Sequence, residues 1–396
     1  MTGTAQAIRG HRGLALFSGG FRPFFLFASL WGAVVAPIWV AALHLNGGLV
    51  AGLDGRAWHV HEMLFGFLCG VIAGFLLTAI PNWTGRLPVT GRGLAGLFGL
   101  WVAGRLASFA PPALAPLAAV VDASFLVVFA LVVWREIIAG RNRRNLPVCL
   151  MVTLLAAANI LYHVAPWLAG ADQLAQRLAL ALAAGLLSLI GGRIVPSFTQ
   201  NWLGARKIAP GPTPFGRYDA FVLALTVLAL GAWIIAPFAA AAGWLLAGAG
   251  VAHTVRLLRW RGWKARGEPL VWILHIGYAW LALGLGLIGA GVLAPSQVPA
   301  TLGVHALGAG AVGVMTLAVM TRATLGHTGR PREADRRTVW IYLAVLAAAL
   351  TRLCAPLHDN SPVLLAVSAG LWTLAFGGFA LVYGPLLIGQ RAGRAG

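Results

Sequence analysis

A chain of 396 residues that is 59% hydrophobic and only 10% charged does not have the composition of a soluble domain, in which about a quarter of residues are charged. Its formal charge of +19 would suit a nucleic-acid binder. The cations, however, lie between apolar stretches instead of forming one basic patch, which excludes that class and points to a partner of a different kind, the lipid bilayer.

Twelve apolar stretches follow one another, each near the roughly 20 residues that cross the hydrocarbon layer. They are 23–45, 58–80, 92–110, 113–138, 147–169, 173–192, 218–237, 240–258, 269–293, 299–321, 337–356 and 362–388. Continuous runs of Leu, Ala and Gly without period-two alternation predict helices, not the strands of a barrel. The expected fold is an all-α, polytopic transmembrane helical bundle, and with no long loop to divide it residues 1–396 read as a single membrane domain. The first stretch is too long for the apolar core of a cleavable signal and lacks a small-residue cleavage site, which predicts insertion through an uncleaved helix.

Charge sets the orientation. With the amino terminus inside, all 29 Lys and Arg except Arg56, Arg105, Arg177 and Arg352 fall in cytoplasmic segments. This asymmetry predicts twelve spans with both termini cytoplasmic. Spans 2, 6 and 10 end on that side in related polar runs: Pro81-Asn82-Trp83-Thr84-Gly85-Arg86, Pro196 to Trp202, and Thr321 to Arg330. Either the chain carries a pseudo-repeat of three sets of four helices, or aromatic, Asn, Thr and Arg residues simply furnish the interface.

Topology then sorts the histidines. His59 and His61 begin span 2 on the outer side, His163 ends span 5 there, and His305 lies about 9 Å deep in span 10 at 1.5 Å per residue. Four histidines from three helices therefore share the outer half of the bilayer, which suits one or two metal sites; a hydrogen bond to a neighbouring helix is the simpler alternative for any one of them. Residues two apart on a helix point about 200° apart, so His59 and His61 are expected to face different partners. Glu62 is placed to orient an imidazole or to handle protons; a polar residue at a helix start needs no such role. His275 is a second-rank axial candidate on the inner half. Arg193 and Arg322 sit where helices leave the hydrocarbon and suit haem propionates or lipid headgroups. The glycines Gly303, Gly308, Gly310 and Gly313 allow close approach of a neighbouring helix or of a flat macrocycle. Cys69, Cys149 and Cys354 read as small buried residues, and with no Cys-x-x-Cys-His run a covalent c-type haem is excluded.

Several blocks carry a family resemblance. Gly20-Phe21-Arg22-Pro23-Phe24-Phe25, Trp58-His59-Val60-His61-Glu62-Met63-Leu64-Phe65-Gly66, Thr78 to Gly85, Gly192 to Thr199 and Met315 to Arg330 resemble the NnrS family over nearly the whole chain. The resemblance implies a multi-pass protein of the bacterial inner membrane in denitrification and nitrosative stress, with non-covalent b-type haem and copper as cofactors and nitric oxide as ligand. Such centres would bind nitric oxide, convert it as an oxidoreductase with a quinol or other electron donor, or protect other metal centres, and the residues leave these open. A quinol-linked electron-transfer protein is a further alternative. On the residues alone, His59, His61, His163 and His305 are the metal-ligand candidates. A weaker likeness to haem-copper oxidases stops at spans 6 and 7, which hold no histidine. A proton-coupled transporter of a small metabolite or metal complex is the competing reading, although Glu62 and Asp122 are the main intramembrane acids.

Overall fold

The fold comes from a computed structural model, which describes residues 13–44 and 55–390. His11 and the tail arginines Arg9, Arg12, Arg391 and Arg394 lie outside the described residues. Among the described residues the structure is 83% helical with no strands. The helices are α1 (Phe21–His44), α2 (Gly55–Thr84), α3 (Gly91–Ala107), α4 (Pro112–Ala139), α5 (Arg143–His163) and α6 (Ala171–Ala205). They continue as α7 (Arg217–Ile235), α8 (Ala240–Arg259), α9 (Pro269–Leu293), α10 (Ala300–His327), α11 (Arg336–His358) and α12 (Pro362–Ile388). Eleven of them are long and apolar enough to cross a membrane. The remaining one, α3, has 17 residues and runs about 25 Å. The chain is a multi-pass, all-α membrane protein.

Helices stand where the apolar stretches predict them, and the ends differ for local reasons. α5 stops at His163 because Pro166 follows and Ala165–Trp167 tightens into a 3-10 turn. α6 and α10 overrun their apolar stretches: the polar runs ending at Ala205 and His327 stay helical, since backbone hydrogen bonding continues after the hydrophobic signal has stopped. Three π segments interrupt the helices, Glu62–Leu68 in α2, Leu187–Gly191 in α6 and Ala306–Val312 in α10. A π turn holds an extra residue and shifts the side chains beyond it; such turns are frequent at functional sites. They fall on the three helices whose carboxyl-terminal ends carry the aromatic and polar runs.

The chain forms two compact units. The first comprises residues 1–179, 320–331 and 376–396. Here α1 lies close on α2: a Cβ on Gly32 would come 2.7 Å from the Phe67 ring, and one on Gly74 would come 2.7 Å from Phe25. Buried Arg22 donates to the carbonyls of Leu387 at 2.8 Å and Gly389 at 2.7 Å, satisfying the carboxyl end of α12. The second unit comprises residues 180–319 and 332–375. Its α8 and α9 meet along a small-residue seam, where a Cβ on Gly250 would lie 2.8 Å from Ala282 O and one on Gly289 would lie 2.6 Å from Gly243 O. Without a hydrophobic drive between helices in lipid, such close backbone approach supplies the packing energy. Val120, Leu131, Val227 and Leu228 are among the large apolar side chains left exposed, as a lipid-facing surface requires.

Candidate functional site

The centre of the first unit is a buried ionic cluster rather than an apolar core. α2 contributes His61 and Glu62 at the point where its α-helical start passes into the π segment. α3 contributes Arg105, α4 contributes Asp122, and α5 contributes Asn159 and His163. Glu62 is fully buried, while His61, Arg105, Asp122 and Asn159 are each no more than 6% exposed.

The Arg105 guanidinium bridges two carboxylates: Nη1 donates to Glu62 Oε2 and Nη2 to Asp122 Oδ1. Planar and permanently charged, arginine is the cation suited to such a fork. Glu62 also accepts from the Trp31 indole at 2.8 Å through Oε2. Asp122 Oδ2 gathers three donors: His163 Nε2 at 2.8 Å, Asn159 Nδ2 at 2.9 Å and His61 Nε2 at 3.2 Å. Both ring nitrogens of His61 face oxygen acceptors, since Nδ1 lies 2.9 Å from Glu62 Oε1 and Nε2 lies 3.0 Å from Asn159 Oδ1. That environment suits a ring carrying both protons, and with it the cluster approaches charge neutrality, as burial demands.

Local sequence explains the fit. Gly66 leaves room beneath the guanidinium; a Cβ there would overlap Arg105 and come 2.7 Å from Glu62 Oε2. Gly104 lets α4 close in, because its Cβ would lie 3.2 Å from Asp122 Cα. Within the π segment, Gly66 O accepts from the Trp101 indole at 3.0 Å. Tyr162 ties α5 to α2 by donating to Ala57 O at 2.8 Å. Phe65 and Tyr162 flank the His61 ring, and the His163 side chain, 23% exposed, marks the open end.

His61, Asp122 and His163 each offer one ligand atom, and those atoms lie within 4.8 Å of one another. Two imidazoles and a carboxylate form a donor set suited to copper(II), zinc or iron(II). A metal taking His61 Nε2 would replace its proton and leave Nδ1–H on Glu62, an arrangement in which a carboxylate holds the ligating ring in its tautomer. The set therefore fits a resident copper ion.

Of the residues singled out by sequence, the structure brings together His61, His163 and Glu62. His59 points elsewhere, as the 200° offset requires, and stacks on Trp39 with ring centroids 4.3 Å apart. His305 belongs to the second unit, on the last residue before the α10 π segment. Its Nδ1 donates to Thr301 O at 2.8 Å, so the lone pair sits on Nε2. His275, also in the second unit, meets Thr199 Oγ1 through Nε2 at 2.8 Å, and its Nδ1 edge is covered by Gly262. Arg193 and Arg322 are half-buried and belong to separate units. Arg322 lies in the last two turns of α10, whereas Arg193 follows the π segment inside α6, more than three turns before that helix ends. Three of the α10 glycines serve packing, Gly303 against Ile288, Gly310 against the Trp280 ring and Gly313 against Trp372, while Gly308 faces open space. Sequence reasoning did not assign Arg105, Asp122 or Asn159 to the site. Arg105 stood out only as a cation away from the cytoplasmic segments and Asp122 only as an intramembrane acid, both needing partners; Asn159 gave no signal.

Fold and site together define a polytopic helical membrane protein with a buried imidazole–carboxylate cluster. The sequence pattern of the family described as NnrS protein matches residues 15–391. The chain belongs to the NnrS family. No curated protein matches it.

Proposed function

We propose that the protein is a metal-binding component of the bacterial inner membrane in the nitric oxide response, and that His61, His163 and Asp122 hold a copper ion. One observation carries the reading: His61 Nε2 and His163 Nε2 both converge on Asp122 Oδ2, at 3.2 Å and 2.8 Å. Copper bound there supplies one-electron chemistry and an affinity for small diatomic ligands. Glu62 fixes the His61 ring through Nδ1, and Arg105 compensates the two carboxylates without acting as a ligand. The rings of Phe65 and Tyr162 cover His61, while His163, with a partly exposed side chain, stands at the way in. Nitric oxide is apolar and reaches such a site through lipid.

Family membership also supports a non-covalent haem. His305 presents the tautomer that an axial ligand needs, and His59 is the other candidate. Ligation by His275 would require the Gly262 turn to move away from its ring. For a haem held by His305 the propionate candidate in the same unit is Arg193, and for one held by His59 it is Arg322. An electron donor such as a quinol is part of this reading if nitric oxide is converted.

Purified protein should contain stoichiometric copper and show a Soret band. His163→Gln and Asp122→Asn should each deplete copper while leaving the haem absorption unchanged. Wild-type protein without copper, or copper retained in both variants, would refute the assignment. Proton-coupled transport is the second reading, favoured by the continuous hydrogen-bonded chain from Glu62 through His61 to Asp122. Uptake by metal-free protein in liposomes would support it over the first.

A further inference from the structure

The second unit holds a buried polar chain that the metal reading does not use. Ser188 comes from the α6 π segment, Asp219 and Thr226 from α7, His253 and Arg256 from α8, and Tyr278 from α9. His253, Arg256 and Tyr278 are at most 1% exposed. Charged and polar groups at such depth are costly, and in a membrane protein they mark function more often than structure.

The direction of each hydrogen bond follows from its end point. Thr226 Oγ1 donates to Val222 O at 2.6 Å, so it accepts from His253 Nε2 at 2.8 Å. The imidazole proton is therefore on Nε2, and the Nδ1 lone pair takes the Tyr278 hydroxyl proton across 2.8 Å. Arg256 Nη1 donates to the phenol oxygen at 2.9 Å and to Ser188 O at 3.0 Å. Its Nε donates to Asp219 Oδ1 at 2.9 Å, so Asp219 balances the guanidinium charge. The π segment provides the space: a Cβ on Gly191 would lie 3.3 Å from the Tyr278 ring, and one on Gly192 would lie 2.8 Å from Arg256 Cζ. Trp260 closes the other side of Tyr278, edge-on, with centroids 4.6 Å apart.

The chain contains five tyrosines. Tyr162 and Tyr218 donate to the carbonyls of Ala57 and Ala252, each at 2.8 Å. An amide carbonyl does not take up a phenol proton; the neutral imidazole facing Tyr278 does. We propose that Tyr278 and His253 form a proton-coupled redox pair. A high-potential one-electron oxidant, of the class of oxidised transition-metal complexes, removes one electron from the phenol. The O–H bond breaks and an N–H bond forms at His253 Nδ1. Tyr278 becomes a neutral phenoxyl radical, His253 an imidazolium, and the oxidant is reduced by one electron. A one-electron donor reverses the step and the proton returns to the phenol oxygen. Moving the proton with the electron avoids a radical cation in a low-dielectric interior, and Asp219 offsets Arg256 beside the new imidazolium. This pair acts independently of copper at His61.

The test is flash oxidation of the purified full chain with photogenerated ruthenium(III) polypyridyl, followed by electron paramagnetic resonance and transient absorption. A tyrosyl radical is expected whose spectrum narrows with ring-deuterated tyrosine and whose formation is slower in D2O. Tyr278→Phe, which keeps the ring against Gly191 and Trp260, should lose it, whereas Tyr162→Phe and Tyr218→Phe should retain it. His253→Gln, which offers an acceptor but no base, should slow formation and remove the solvent isotope effect. The proposal is overturned by absence of a tyrosyl radical in wild type, by its persistence in Tyr278→Phe, or by an unchanged rate and isotope effect in His253→Gln.

Discussion

Replacing Arg105 by Met removes the guanidinium that bridges Glu62 and Asp122 while keeping an unbranched side chain that fills much of the same volume. Two charge-assisted hydrogen bonds are lost, each worth about 1.5–3 kcal/mol. Leaving a buried charge uncompensated costs about 3–5 kcal/mol. His61 still faces Glu62 at 2.9 Å and Asp122 at 3.2 Å, which offsets part of the loss. The membrane-embedded unfolded state also finds partners for its polar groups. Both corrections favour the lower end, about 3 kcal/mol. Reversible unfolding in mixed detergent micelles, followed by circular dichroism, measures the difference. Arg105→Met combined with Glu62→Gln removes one of the stranded carboxylates and should recover part of the stability. Arg105→Met within about 0.5 kcal/mol of wild type, or a double variant less stable than the single one, would refute the compensation argument.

Glu62→Gln should leave the three metal donors in place yet weaken copper binding by about 10–100-fold, the usual effect of losing the carboxylate behind a ligating histidine; competition with a chelator reads this directly. Gly66→Ala should cost about 1–3 kcal/mol by overpacking, since its Cβ would overlap the guanidinium and lie 3.0 Å from Trp31 Nε1, and an unchanged melting temperature would argue against the cradle. Asp335 caps α11 by accepting from Thr338 N at 2.8 Å and Thr338 Oγ1 at 2.7 Å, so Asp335→Ala should lose about 1 kcal/mol. Partial burial pushes the Asp335 carboxyl up, but the two Thr338 bonds and the Arg337 charge more than offset it and hold it below the usual carboxylate range. Its contribution is therefore complete above the ordinary value near pH 4 and fades as pH falls through the lower folded value, so the gap between wild type and variant should close on acidification.

The sequence by itself determined the class of fold. Apolar runs of spanning length force helices, because backbone groups in hydrocarbon must bond within their own segment; hence eleven apolar stretches became helices long and apolar enough to cross a membrane, and the shorter α3 lies where its stretch predicted. Family membership was equally legible, carried by blocks such as Trp58 to Gly66. The spacing of His59 and His61 foretold their divergence, since helical rotation is local. What only the tertiary structure decided is which polar residues meet. Depth along a helix follows from composition, but rotation about its axis and the choice of neighbour depend on packing. His61 and His163 share a depth and do converge; His305, assigned a similar depth, belongs to the other unit. Arg105 and Asp122 were visible as isolated charges, and only the close approach at Gly66 and Gly104 joins them with Glu62 into one cluster. The π turns were hidden for the same reason: an extra residue per turn leaves hydropathy unchanged and is stabilised by partners, such as Trp101 and Arg256, that lie far away in sequence.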